Sequence, residues 1–108
     1  MGELQLQGET DTVCSLLEND YRRRVLRCLE RTETMTRDEL SHELARDARP
    51  AASTTHTTVS LSHVHLPKLA DENAIRYDTD AGTVTITAYG ERLLRCLDAI
   101  ETELHRRK

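Results

Sequence analysis

"AIRYDTDAGTVTIT", residues Ala74 to Thr87, carries the plainest secondary-structure signal in the chain. Ile75 and Tyr77 alternate with polar neighbours, and so do Val84 and Ile86, so each half presents one apolar face at a period of two. Between them "TDAG" supplies turn residues. The stretch reads as a two-stranded hairpin. A lone hairpin is unstable in water unless it packs on something, so the rest of the chain must supply a surface for it.

What precedes the hairpin is helical. Val13, Leu16, Leu17, Tyr21, Val25, Cys28 and Leu29 recur at three- and four-residue spacing, which predicts an amphipathic helix from Asp11 or Thr12 to about Arg31. Thr36 and Glu39 have the spacing of a capping box. They open a second helix with Leu40, Leu44, Ala45 and Ala48 as its buried stripe, stopped before Pro50. A third helix starts at Ser53 or Thr54 and turns Val59, Leu66, Leu69 and Ala70 to one face. Pro67 removes the amide that would bond the carbonyl of His63, so a kink or break is expected there. The ten residues ahead of the first helix read as a mobile arm. After the hairpin, Leu93, Leu97, Ile100 and Leu104 step by four, three and four along a last helix.

The order is therefore α-α-α-β-β-α, mainly α with a small β-hairpin. Three helices with a hairpin folded against them make a winged helix-turn-helix, with the third helix as reader and the hairpin as wing. Residues 1–10 are the arm, 11–88 the winged domain and 89–108 a helix for dimerisation.

The totals bound the function. At 108 residues the chain holds one modest core. With three Tyr and no Phe or Trp, it has no aromatic cluster for stacking bases. No apolar run spans a bilayer and no secretion signal opens the chain, so a soluble cytoplasmic protein is expected. Acids outnumber bases 19 to 15, and Lys68 and Lys108 are the only lysines. Low Lys with high acid and Thr fits either an extreme halophile or a GC-rich codon bias. In molar salt the Debye length is about 3 Å and counterion release adds little, so an acidic net charge argues less against DNA than usual.

"NDYRRRVLRCL" (Asn19–Leu29), "HVHLPKLADENAIRYD" (His63–Asp78) and the following "GTVTIT" resemble the small ArsR-like winged-helix proteins of haloarchaea, many of unknown function. The resemblance covers about Leu16 to Thr87. It implies a winged-helix fold and a role in regulating transcription, and supplies no ligand or DNA target.

On this reading Thr54, Thr55, His56, Thr57, Thr58 and Ser60 face double-stranded DNA, with Lys68, Arg76, Arg46 and Arg49 as phosphate contacts and Arg37 nearby. None of the helix residues is the Arg or Asn that discriminates bases strongly. The wing tip, Asp78 to Asp80, is acidic. A solvated polar face, or a winged helix used as a protein-interaction module, stands as the alternative.

Arg22, Arg23 and Arg24 fan about 100° apart around a helix and form no single patch; pairing with carboxylates of the same chain is expected. His63 and His65 point apart on a helix, and His56 is about 10 Å from His63. No metal site and no cofactor are expected; one histidine packs on the first helix while the other faces solvent. Cys14, Cys28 and Cys96 have no C-x-x-C spacing and read as buried free thiols. No nucleophile elbow, phosphate loop or zinc-hydrolase spacing occurs, so no enzyme is expected. Leu93, Leu97, Ile100 and Leu104 make a seam for a homodimer, with Leu93 and Leu94 also available to the chain's own core.

Overall fold

The computed structural model describes residues 2–47 and 54–106, with side-chain surroundings over 8–46 and 55–106. Helix α1 spans Gly2–Leu17, and α2 spans Asp20–Thr32. Residues 2–10, expected as part of an arm ahead of the first helix, belong to α1, and the single helix expected to Arg31 is two. Asn19 makes the division. Its backbone is extended (φ −98°, ψ 130°) and its side chain accepts from the amide of Tyr21 at 2.8 Å. That is an N-cap, which starts a new helix and leaves the carbonyls at the end of α1 to be bonded by other groups.

Strand β1, Thr34–Thr36, leads directly into helix α3, Arg37–Asp47. The capping box forms as spelled. The Glu39 amide donates to Thr36 Oγ1 at 3.0 Å and the Thr36 amide donates to Glu39 Oε1 at 2.8 Å. Leu40, Leu44 and Ala45 are buried; Ala48, the stop at Pro50 and the cap at Ser53 lie outside the described residues.

The third helix is composite. Helix α4, Thr54–Ser60, runs into a π-helical turn, Leu61–His65, and then into α5, Leu66–Asp71. Pro67 explains the turn. With no amide to offer the carbonyl of His63, the chain widens ahead of it, and the Leu66 amide bonds the carbonyl of Leu61, five residues back. One extra residue in the turn breaks the seven-residue spacing that would carry Val59 onto the face of Leu66. Leu66 and Leu69 are buried as expected, whereas Val59 is 52 % exposed.

Helix α5 ends in a Schellman motif. Asn73 takes a left-handed conformation (φ 65°), its amide bonds Ala70, and the Ala74 amide bonds Leu69. The paired apolar residues of that motif, Leu69 and Ala74, are both fully buried. Strands β2, Ile75–Asp78, and β3, Thr83–Ile86, then pair antiparallel with Ile75 opposite Ile86 and Tyr77 opposite Val84. Their alternation holds: Ile75, Val84 and Ile86 point into the core. The sheet has a third strand, because β1 pairs with the outer side of β3. Three residues, "TMT", are too short to show a period, so β1 left no signal in the sequence.

Helix α6, Ala88–Arg106, closes the fold. Thr87 caps it by accepting from the Gly90 amide at 3.0 Å. Gly90 sits against the chain entering β2, where a Cβ would lie 2.3 Å from the Ala74 carbonyl oxygen. One core joins all these elements through leucines 16, 26, 29, 40, 44, 61, 66, 69, 93 and 94. The result is a helix-rich domain with a β-hairpin wing, the winged helix-turn-helix arrangement.

Candidate nucleic-acid interface

Helix α4 packs against α3, and burial divides the α4–π segment into two faces. Thr57, Leu61 and His65 point inward, four residues apart. Thr55, His56, Val59, His63 and Val64 point outward, with Thr58, Ser60 and Ser62 at the edges. Of the side chains expected to read DNA, Thr55 and His56 are therefore presented and Thr58 and Ser60 partly so. Thr57 is not: at 0 % exposure it belongs to the contact with the body, because it shares its face with Leu61. Val59 and Val64 take outward positions that the sequence pattern missed. Thr54 begins α4, but its side chain, like all of Arg49, lies outside the described residues.

The outward face carries no acid. Between Asp47 and Asp71 the sequence has no carboxylate, although the chain has 19 of them. Lys68 is partly buried on α5, and Arg76 is exposed on β2. Arg46 is exposed and pairs with Glu43 at 2.9 Å, a surface pair of small energy that a phosphate can replace.

The acidic wing tip has a local cause. Asp78 Oδ1 accepts from the amides of Asp80 at 3.1 Å and Ala81 at 3.0 Å, an Asx turn. Gly82 completes the turn at φ 70°, a left-handed conformation that glycine adopts at no steric cost. The wing is fastened to the start of α3 by Arg37. Its amide donates to the Gly82 carbonyl at 2.8 Å and its guanidinium donates to the Tyr77 hydroxyl at 2.8 Å.

The arginine run is consumed inside the fold. Arg22 is 5 % exposed and donates to the carbonyls of Ser15 (2.7 Å) and Leu16 (3.0 Å). Arg23 bonds the Leu17 carbonyl and lies 3.6 Å from Asp20. Together they bond the open C-terminus of α1, where cations are favoured. Arg24 does the same for α3 through the Leu44 carbonyl and also pairs with Asp20. Arg27 reaches α6, with Asp98 at 2.8 Å and Glu101 at 2.6 Å. Carboxylate pairing was expected of this run. Three of the four also cap helix ends, a role visible only once the helix break is known.

His65 packs on α2, its ring 5.2 Å from that of Tyr21, and His63 faces solvent. The Arg22 guanidinium lies 3.4 Å from His65 Nδ1. Arginine can only donate, so a hydrogen bond here is one accepted by Nδ1 of a neutral ring whose proton sits on Nε2. Burial first, and the Arg22 charge second, lower the imidazole's proton affinity. Among the described residues no three His, Cys, Asp or Glu side chains gather where a metal ion could sit. Of the thiols only Cys28 is buried, and that burial pushes its pKa up; Cys14 and Cys96 are exposed, against expectation. Cys14 sits beyond the inward stripe of α1, and Cys96 lies on the outer side of α6.

The seam of α6 is divided. Leu93, Leu94 and Leu97 are buried by the chain's own body, so Leu93 and Leu97 are not free to form a dimer interface. Ile100 and Leu104 continue the same stripe and are 49 % and 60 % exposed.

Residues 14–85 match the profile of a domain family described as a domain of unknown function, DUF7344. The chain belongs to the DUF7344 family. The DUF7344 span runs from within α1 to within β3 and holds the capping box, the π turn, Pro67 and the wing. Helix α6 lies beyond it, yet completes the DUF7344 core with Leu93, Leu94 and Leu97. No curated protein and no solved structure matches the chain. No helix among the described residues is long and apolar enough to cross a membrane.

Proposed function

We propose that this protein is a DNA-binding transcriptional regulator of the ArsR-like winged-helix type, acting in the cytoplasm as a homodimer. The observation that carries the reading is the outward face of α4 and the π turn. It is hydroxyl- and imidazole-bearing and free of carboxylates in a chain of net charge −4. A helix laid in a major groove runs between two phosphate backbones, and a face without acids is the minimum electrostatic condition. Thr55, His56 and Ser60 supply donors for phosphates and bases, and Arg46, Lys68 and Arg76 supply cations. One of the wing's two acids, Asp78, is engaged in building its turn, which weakens its weight as a docking surface for a protein.

The exposed ends of α6 complete the proposal. Ile100 and Leu104 of two copies would bury one another and set the separation of two reading helices on a near-palindromic site. The shortage of lysine fits a halophile's cytoplasm, where binding would rest on contacts rather than on counterion release.

The test is fluorescence anisotropy with genomic duplex fragments across a KCl series reaching molar salt. Sequence-selective binding supports the regulator. Its absence at every salt leaves the second reading, a protein-interaction module, which the exposed Val59 and Val64 favour. Replacing Thr55 and His63 with Glu should abolish selective binding without unfolding the protein, since both side chains face outward.

A further inference from the structure

Val59 and Val64 are 52 % and 51 % exposed, and apart from Ile100 and Leu104 no other large aliphatic side chain among the described residues is exposed. Both lie on the acid-free outward face. Val59 is there because the π turn adds a residue ahead of Pro67 and rotates it off the core; Val64 lies within the turn itself. The same face offers Thr55, His56 and His63 but no Arg, Lys, Asn or Gln. It therefore lacks every side chain that grips guanine or adenine in bidentate fashion. The feature of a base pair that an aliphatic side chain can recognise in the major groove is the C5-methyl group of thymine.

We propose that Val59 and Val64 are the specificity-determining residues of this helix, and that they read thymine methyls in a thymine-rich duplex. The inference rests on the DNA-binding reading above and names its ligand chemistry. Five residues separate the two valines, about 7 Å along the helix axis, so each meets a different base pair at the roughly 3.4 Å rise of a strand. Thr55 and His56 lie on the flanks of the valines, where a hydroxyl and a ring nitrogen reach phosphate or a base edge. Discrimination comes from methyl burial, a contact that salt does not screen. That property suits a chain with few cations on its reading face.

The test starts from duplexes selected by the full-length protein out of a random library. Each thymine of the selected site is then replaced by deoxyuridine, which removes the methyl and keeps the pairing. Two thymines should lose about three- to fivefold in affinity each on replacement, the worth of one buried methyl. The variants Val59→Ala and Val64→Ala should each make one of those positions indifferent to the methyl. Both sites are half exposed, so the variants should keep the wild-type urea midpoint. Equal binding of thymine and deoxyuridine duplexes by the wild type would overturn the inference and leave the DNA-binding reading standing. An unchanged thymine preference in both valine variants would overturn it equally. Failure to select any duplex would instead remove the DNA-binding reading itself.

Discussion

The guanidinium of Arg22 holds the carbonyls of Ser15 and Leu16 while facing Nδ1 of His65 at 3.4 Å. One buried cation thus joins the end of α1, the start of α2 and the π turn behind the outward face. A cation facing an imidazole is unfavourable once that imidazole is charged, so the arrangement requires a neutral ring.

Stability should therefore fall as the pH drops below about 6.5, the usual imidazole value. Folding lowers the proton affinity of His65, so acidification protonates the unfolded chain first and shifts the balance toward it. Above that window the ring is neutral in both states and contributes no pH dependence. Urea midpoints at pH 7.5 and 5.5 would measure it. The wild type should lose more across that interval than His65→Gln, and equal losses would show that His65 is not the titrating group.

Removing the Arg22 side chain should be far more damaging than removing its neighbour. Arg22→Ala leaves one buried and one partly buried carbonyl without their charged donor, at about 2–4 kcal/mol for bonds of this kind. Arg23 is one-third exposed in its side chain, and Arg23→Ala should cost about 1 kcal/mol or less. Chemical denaturation of the two variants should reproduce that order.

Gly90→Ala should destabilise by about 1–3 kcal/mol or more, since its Cβ would meet backbone oxygen that cannot rotate away. The control is Ala99→Gly on the exposed side of the same helix, which should cost only about 1 kcal/mol through helix propensity.

Ile100→Asp with Leu104→Asp should yield a monomer by light scattering at micromolar protein, with the wild-type helical signal retained. Leu97→Ala, by contrast, should lose about 2–5 kcal/mol of stability whatever the assembly, because Leu97 is buried within its own chain. A wild type that is already monomeric would end the dimer proposal.

The pair Arg27 and Asp98 should couple α2 to α6 by under about 1 kcal/mol in a double-mutant cycle. Its distance is short, but the carboxylates are half exposed and solvent screens them. The coupling should shrink further in molar KCl.

Much of this architecture was written locally. The capping box of Thr36 and Glu39, the alternation of Ile75, Tyr77, Val84 and Ile86, and the leucine spacing of α6 each arise from neighbours in sequence. Each was legible because one helix turn or one strand contains the whole signal. Pro67 likewise announced a disturbance in the third helix, since a missing amide needs no partner to be felt. The break at Asn19 was legible in principle, as an N-cap residue before an acid, but the continuous apolar spacing on both sides hid it.

What tertiary structure alone decided was orientation. Pro67 required some departure from α-helix, but the choice of a π turn over a break set which residues of the segment face out, and put Thr57 in and Val59 out. Strand β1 exists only because β3 offers an edge. The arginines became helix caps only when α1 ended beside α2. Leu97 and Ile100 are the same kind of residue on the same stripe, yet one is covered and the other is not. The sequence determines that such a stripe exists. Where the body of the domain stops beneath it is a property of the packed whole, because burial depends on what arrives from elsewhere in the chain.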